Sequence, residues 1–175
     1  MKVLSFLLSI LGFAGVTAAN LTKGRRMTLI LLFLFIANVS YALSYLVGGS
    51  GINGAYSCLL ASVLVVNKSF FDRQNRMLPK WLAGIYAVAF IALNIWLSGI
   101  SLPAMLMIGA ALTFLLSVLQ KNGAAFRLWT TANAICWCVY DTVTGSYGAL
   151  TTHVVMLCTT LFGILLHDIP KKAKN

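Results

Sequence analysis

The chain has 175 residues, of which 60% are hydrophobic and only 9% charged, with a net charge of +10 and a mean hydropathy of +0.91. Roughly 25% of a soluble domain is charged, so a water-soluble globule is excluded and lipid must be the solvent. The 13 Lys and Arg against three acids would suggest nucleic acid in a soluble protein, but these cations stand in short clusters between apolar runs, as loops at a membrane face do.

A bilayer core is spanned by about 20 apolar residues, with a range of about 17 to 25. In chain order the qualifying runs are Val3–Ala19, Met27–Val47, Ile52–Phe71, Trp81–Ile100, Leu102–Leu119, Leu128–Val143 and Tyr147–Leu166. The third carries Asn67 and Lys68 near its end, where a lysine is expected to snorkel to the interface. The sixth is bounded by Arg127 and carries Asp141. None alternates with the period of a barrel strand, so the expected class is an all-α integral membrane protein of seven helices. The first 20 residues also read as a secretory signal. Cleavage would export Lys23, Arg25 and Arg26, against the charge bias, so a retained helix is expected.

With the N-terminus outside, the inner loops and tail hold 12 of the 13 basic residues: Lys23, Arg25, Arg26, Lys68, Arg73, Arg76, Lys80, Lys121, Arg127, Lys171, Lys172 and Lys174. Only Lys2 falls elsewhere. This segregation predicts an N-out, C-in topology in a cytoplasmic membrane.

Two stretches match. ANVSYALSY begins at Ala37 and ANAICWCVY at Ala132; each places a Tyr seven residues after its Asn, and each runs on to a Gly-Ser and a Gly-Ala. Aligned on Asn38 and Asn133, each lies in the middle helix of a three-helix group. Three helices is an odd number, so an intervening helix is needed to keep the groups parallel. The expected plan is repeat 1 over residues 1–71, a loop and linker helix over 72–101, repeat 2 over 102–167 and a basic tail over 168–175.

The segment LWTTANAICWCVYDTVTGSYGAL, Leu128 to Leu150, with its Trp-rich helix, short polar exit and Gly-Ser-aromatic-Gly opening, resembles bacterial inner-membrane proteins of the YgjV type. The arrangement is similar to the wider SWEET and PQ-loop superfamily, whose half-size members pair three-helix bundles. That resemblance implies an inner-membrane location and passage of a small solute between the repeats. The chain departs from the superfamily in having no Pro-Gln pair, and Pro79, Pro103 and Pro170 stand at helix ends, so the mid-helix hinges of SWEET carriers are missing.

Polar residues inside lipid are expensive and face a bundle interior. Asn38, Tyr41 and Tyr45 are spaced by three and four and share a helix face; the same phase on the sixth helix gives Asn133, Trp137, Tyr140 and Asp141. Two such faces meeting on the repeat axis would line a path for a small polar or ring-bearing solute. The plainer reading makes the asparagines interhelical glue, worth about 0.6 kcal/mol each. Asp141 reads first as a hydrated group near the outer end. His153 reads first as a neutral imidazole bonded to Thr151, Thr152 or backbone, with gating or proton coupling as the alternative for both residues. Asn94 has no repeat counterpart and is structural. Trp81, Trp96 and Tyr147 read as interfacial belt, and Gly48, Gly49, Gly51 and Gly54 as a tight outer turn.

Cys58, Cys136, Cys138 and Cys158 read as free thiols in apolar runs, with Cys136 and Cys138 unable to share a metal. No paired acids, HExxH or phosphate loop is present, so neither enzyme chemistry nor a cofactor is expected. The expected function is small-solute transport, against a non-transporting receptor or assembly protein as the second reading.

Overall fold

The computed structural model describes residues 2–22, 27–49, 51–120 and 123–167. Lys23, Arg25, Arg26, Lys121, Lys171, Lys172, Lys174, Ser50, Pro170 and the tail 168–175 lie outside them. The helices are α1 (Lys2–Leu21), α2 (Met27–Gly48), α3 (Ile52–Arg73), α4 (Lys80–Ser98), α5 (Leu102–Leu119), α6 (Gly123–Thr144) and α7 (Tyr147–His167). Six of these seven are long and apolar enough to cross a membrane. The remaining helix, α6, has 22 residues, which at 1.5 Å per residue is roughly 33 Å. It falls short in apolarity, carrying Arg127, Thr130, Thr131, Asn133 and Asp141.

The prolines fall where their missing N–H costs nothing: Pro79 is the N-cap residue of α4, and Pro103 lies in the first turn of α5, whose Ser101 N-cap accepts from Ala104 N–H. The turns at one end are short and bend through glycine, with Gly49, Gly51, Gly99 and Gly145 all at positive φ.

Packing follows a cyclic order. α1 lies against α2, α2 against α3, α3 against α5, α5 against α6, α6 against α7 and α7 against α1. The helix α4 stands outside this ring, on α3 and α5. Across the ring α2 and α6 are opposite one another.

Lipid as solvent inverts the usual pattern of a helix surface. On α1 the buried residues are Ser9, Gly12, Gly15, Ala19 and Asn20, while Val3, Leu4, Leu7 and Leu11 are exposed. Small residues let backbones approach, and packing rather than apolar burial drives association in lipid. Hydrogen bonds reinforce the seam: Ser9 and Ser44 hydroxyls meet at 2.7 Å, Ser44 donates to the Ser5 carbonyl, and Asn20 donates to Thr160 on α7 at 3.0 Å. The linker α4 is fixed by Asn94, which is fully buried. Its amide accepts from Asn53 at 3.1 Å and donates to Ser57 at 3.0 Å on α3, the structural role expected of it. Trp81, Trp96 and Tyr147 are exposed near helix ends.

Two expectations about α3 need correcting. Lys68 does not snorkel: it is 7% exposed and pairs with Asp72 one turn on. The helix also runs past Phe71 to Arg73, so Asp72 belongs to it.

A Cβ on Gly15 would lie 2.9 Å from the carbonyl oxygen of Phe33, a backbone atom that cannot swing aside. Gly15→Ala should therefore push α1 off α2 and cost about 1–3 kcal/mol. Gly84→Ala, in α4 where nothing lies within 4 Å, should be neutral or stabilising. Thermal melting of both variants in detergent checks the contrast.

Candidate functional site

Interior side chains segregate into two clusters along the helices. Toward the ends that carry Arg73, Arg76 and Lys80 lies an aliphatic and Phe cluster that includes Leu31, Leu64, Phe90, Leu115 and Phe126. Toward the glycine turns lies an aromatic cluster of Tyr41, Tyr45, Trp137 and Tyr140, with Cys58 and Met107. All four ring residues come from the facing stripes expected on α2 and α6, and large rings close the distance between opposite helices.

The rings form a stack. Tyr41 lies on His153 (centroids 4.6 Å, planes 26° apart), His153 on Trp137 (5.0 Å, 21°) and Trp137 on Tyr45 (5.6 Å, 15°). Tyr140 meets Tyr45 and Trp137 edge-on. The stack favours a glycine at position 54: a Cβ there would come within 3.1 to 3.2 Å of Tyr140, Trp137 and Tyr45 at once. Gly54 also offers a backbone N–H of the first turn of α3, which has no intrahelical acceptor; Tyr140 Oη accepts it at 3.0 Å.

Inside this aromatic layer sits Asp141, with no exposed surface. Tyr45 Oη donates to its Oδ1 at 2.6 Å, and His153 Nδ1 lies 2.6 Å from its Oδ2. Both oxygens are satisfied when His153 is the Nδ1–H tautomer and donates to the carboxylate. His153 is itself 2% exposed. Tyr41 Oη donates to Thr152 at 3.3 Å, and Thr152 donates to the Ala149 carbonyl. The sequence expectation of a hydrated Asp141 is thus overturned: Tyr45, Trp137 and Tyr140 cover it. The expectation that His153 bonds to Thr151, Thr152 or backbone is overturned too, because its partner is Asp141 on α6.

Below the stack a cavity lies between α2 and α6. Asn38 and Tyr41 line it from one side, Asn133 and Trp137 from the other, and His153 from α7. Its floor includes Leu34, Phe90 and Ala111 of the aliphatic cluster. Asn38 and Asn133 precede their glycine turns by 11 and 12 residues, roughly 16–18 Å of helix, which is about mid-bilayer. The room open to a water centre is ≈ 40 Å³, against the roughly 10–15 Å³ one water needs. The two asparagines do not bond to each other. Asn38 donates to the Leu34 carbonyl of its own helix at 2.8 Å, and Asn133 to the Ala110 carbonyl of α5 at 2.6 Å. Among the described residues neither amide oxygen accepts a hydrogen bond.

Of the six residues expected to face a solute, Asn38, Tyr41, Asn133 and Trp137 line this cavity, whereas Tyr45 and Tyr140 pack above it. A second hollow of ≈ 300 Å³ opens at the glycine-turn end, lined by Lys2, Ser5, Ser44, Tyr45, Ser146 and Gly148 among others. Tyr45 thus borders the upper hollow while its hydroxyl holds Asp141. Sequence reasoning placed Gly54 in the outer turn, whereas it lies inside α3, and it overlooked Thr130, a cavity residue whose hydroxyl donates to the Phe126 carbonyl one turn back. Among the described residues no three His, Cys, Asp or Glu side chains are grouped to hold a metal, and the cysteines are free thiols with Cys58 buried and Cys158 exposed.

Apolar helices wrapped around a polar, ring-lined centre define an all-α integral membrane protein. The chain belongs to the Imp-YgjV family of bacterial inner membrane proteins, whose profile it matches over residues 2–168. No curated protein matches the chain, and no solved structure does.

The two tyrosine hydroxyls differ in what they hold. Hydrogen bonds to charged groups are worth about 1.5–3 kcal/mol and neutral ones about 0.5–1.5. Tyr45→Phe keeps the ring but strips a donor from the carboxylate, so it should cost about 1.5–3 kcal/mol. Tyr41→Phe, which loses only the long bond to Thr152, should cost about 1 kcal/mol or less. Paired melts in detergent read the difference.

Proposed function

We propose that the protein carries a small polar solute across the inner membrane along the axis of its helix ring, between two parallel repeats formed by α1–α3 and α5–α7. The observation that carries this reading is the mid-bilayer cavity into which opposite helices each contribute an asparagine and an aromatic residue. An amide supplies donors and an acceptor, and a ring supplies a flat wall; together they suit a neutral polar solute stripped of water. The repeat plan draws support from the packing order. Exchanging α1, α2 and α3 for α5, α6 and α7 maps the contacts α1–α2, α2–α3 and α1–α7 onto α5–α6, α6–α7 and α5–α3. In this plan Tyr45 and Tyr140 close the path toward the glycine turns, and α4 links the halves. No catalytic step is part of the reading.

The small volume of the cavity favours a second reading, a non-transporting receptor or assembly protein. Untargeted metabolite exchange in liposomes with and without the protein separates the two. For the solute so found, the double variant Asn38→Leu, Asn133→Leu should lower uptake roughly 5- to 150-fold, the equivalent of about 1–3 kcal/mol for an unpaired polar group. Its melting temperature should barely move, because such side chains contribute about 0.6 kcal/mol to helix pairing. Unchanged uptake in the folded double variant would leave the asparagines as glue.

The orientation belongs to the same proposal. Arg73, Arg76 and Lys80 flank one connection, while residues 99–101 and 145–146 at the other end carry no basic residue, so the former side is cytoplasmic. In intact cells Arg76→Cys should resist an impermeant thiol reagent and Ile100→Cys, whose native side chain is 87% exposed, should react. The opposite result inverts the topology.

A further inference from the structure

We propose that Asp141 and His153 form a proton-carrying site that couples movement of the solute to the proton gradient, with Tyr45 as the shutter between that site and the upper hollow. The inference rests on the transport reading and names its coupling ion. Its basis is position. His153 lines the central cavity, its Nδ1 is held by Asp141 Oδ2, the other carboxylate oxygen is held by Tyr45, and Tyr45 borders the hollow at the opposite end. The pair therefore stands on the partition between the two spaces, in contact with one through an imidazole and screened from the other by the aromatic layer, in which Tyr45 both holds the carboxylate and borders the hollow.

The chemistry requires only one proton. With Nδ1–H on the carboxylate, neutral His153 keeps a lone pair on Nε2. A hydronium ion in the central cavity gives a proton to that lone pair: its O–H bond breaks as the Nε2–H bond forms, a water is left, and the charge of the pair changes from −1 to 0. Once Tyr45 has turned off Oδ1, water from the upper hollow reaches the pair and takes the proton as hydronium; a gradient that is acid on the glycine-turn side runs these steps backwards, loading from the upper hollow and unloading into the central cavity. A net charge buried out of water is costly, and both residues are buried, so the loaded, neutral pair is the form that tolerates closure, and the unloaded pair favours access to water. This difference in cost is what ties the proton to the shutter.

Among the described residues, the groups that face the pair are phenols and thiols. Tyr41 and Tyr45 approach from α2, Cys58 from α3, and Cys138 and Tyr140 from α6. Phenols and thiols ordinarily ionise near pH 10 and 8.5. From α5 come Met107 and Ala110, which are apolar, and α1 brings Lys2 to the rim of the upper hollow.

The stacking of His153 on Trp137 provides a readout that needs no solute. In a protein with Trp81, Trp96 and Trp129 changed to Phe, protonation of the imidazole 5.0 Å away should quench Trp137 fluorescence. The expected result is a one-proton transition as pH is varied, which should vanish in His153→Gln and persist in Tyr41→Phe. A flat trace from the folded parent protein overturns the proposal even if His153→Gln fails to fold. The second arm uses liposomes and the solute found by exchange. A pH gradient, acid on the glycine-turn side, should raise its accumulation at least tenfold, and nigericin should abolish the rise. A fluorescence transition without gradient-driven accumulation overturns the coupling while leaving transport intact. Failure of any solute to exchange overturns the transport reading itself, and the coupling with it.

Discussion

A carboxyl group with no exposed surface, enclosed by helices that face lipid, has to be given partners before the bundle around it is stable. Taking an ion out of water costs several kcal/mol even after relaxation, and Asp141 meets that cost through Tyr45 on α2 and His153 on α7. Three helices are thereby committed to one relative placement. Tyr45 must reach across the ring, which fixes how closely α2 and α6 approach. The close approach in turn favours a glycine at position 54, because a Cβ there would press on three rings at once. The freed N–H of that glycine then finds Tyr140. The aromatic layer is the set of side chains that allows one acid to be buried.

The rest of the bundle is held by other means. At the α1–α2 seam small residues and serine hydroxyls bring backbones together, and at the α3–α4 seam Asn53, Ser57 and Asn94 exchange hydrogen bonds. The buried residues of α1 are all small or polar, since lipid receives large apolar side chains as readily as protein does, while α4 adds the buried Tyr86 and Phe90 to its hydrogen bonds. The aliphatic cluster near the basic end closes the floor of the central cavity. The cavity thus lies between two layers of different chemistry, one of hydrocarbon and one of hydrogen-bonded rings. A change that loosens one layer need not loosen the other.

Much of this was legible in the residues. Run length gave the helices to within a few positions, and spacing by three and four placed Asn38, Tyr41 and Tyr45 on one inward stripe and Asn133, Trp137, Tyr140 and Asp141 on another. Surroundings were harder to read than positions. Asp141 is four residues from Gly145, about 6 Å of helix, and depth alone suggested water; the rings that exclude water come from helices distant in sequence. The Asp141–His153 contact left a weak trace, two polar residues 12 apart across a two-residue turn, nearly level on antiparallel helices. For Lys68 the partner is visible as Asp72 at the helical spacing of four, but the apolar run stops at Phe71 while the helix continues to Arg73. The contact of Gly54 with three rings left no mark in sequence beyond the glycine itself.

The shortfall of apolarity in α6 bears on how the chain is made. A segment with an amide, an acid and several hydroxyls gains little by entering lipid alone, so α6 must arrive where polar partners already wait. One is in place, since the Ala110 carbonyl of α5 precedes it in synthesis and accepts from Asn133. Tyr45 of α2 has also been made, but it lies across a ring that is still open. His153 comes last, in the helix that also docks on α1. Asp141 therefore spends the interval between emergence of α6 and arrival of α7 without its imidazole, and assembly is complete only when the final helix closes the ring. A chain stopped before α7 would leave in the membrane an acid without its imidazole partner.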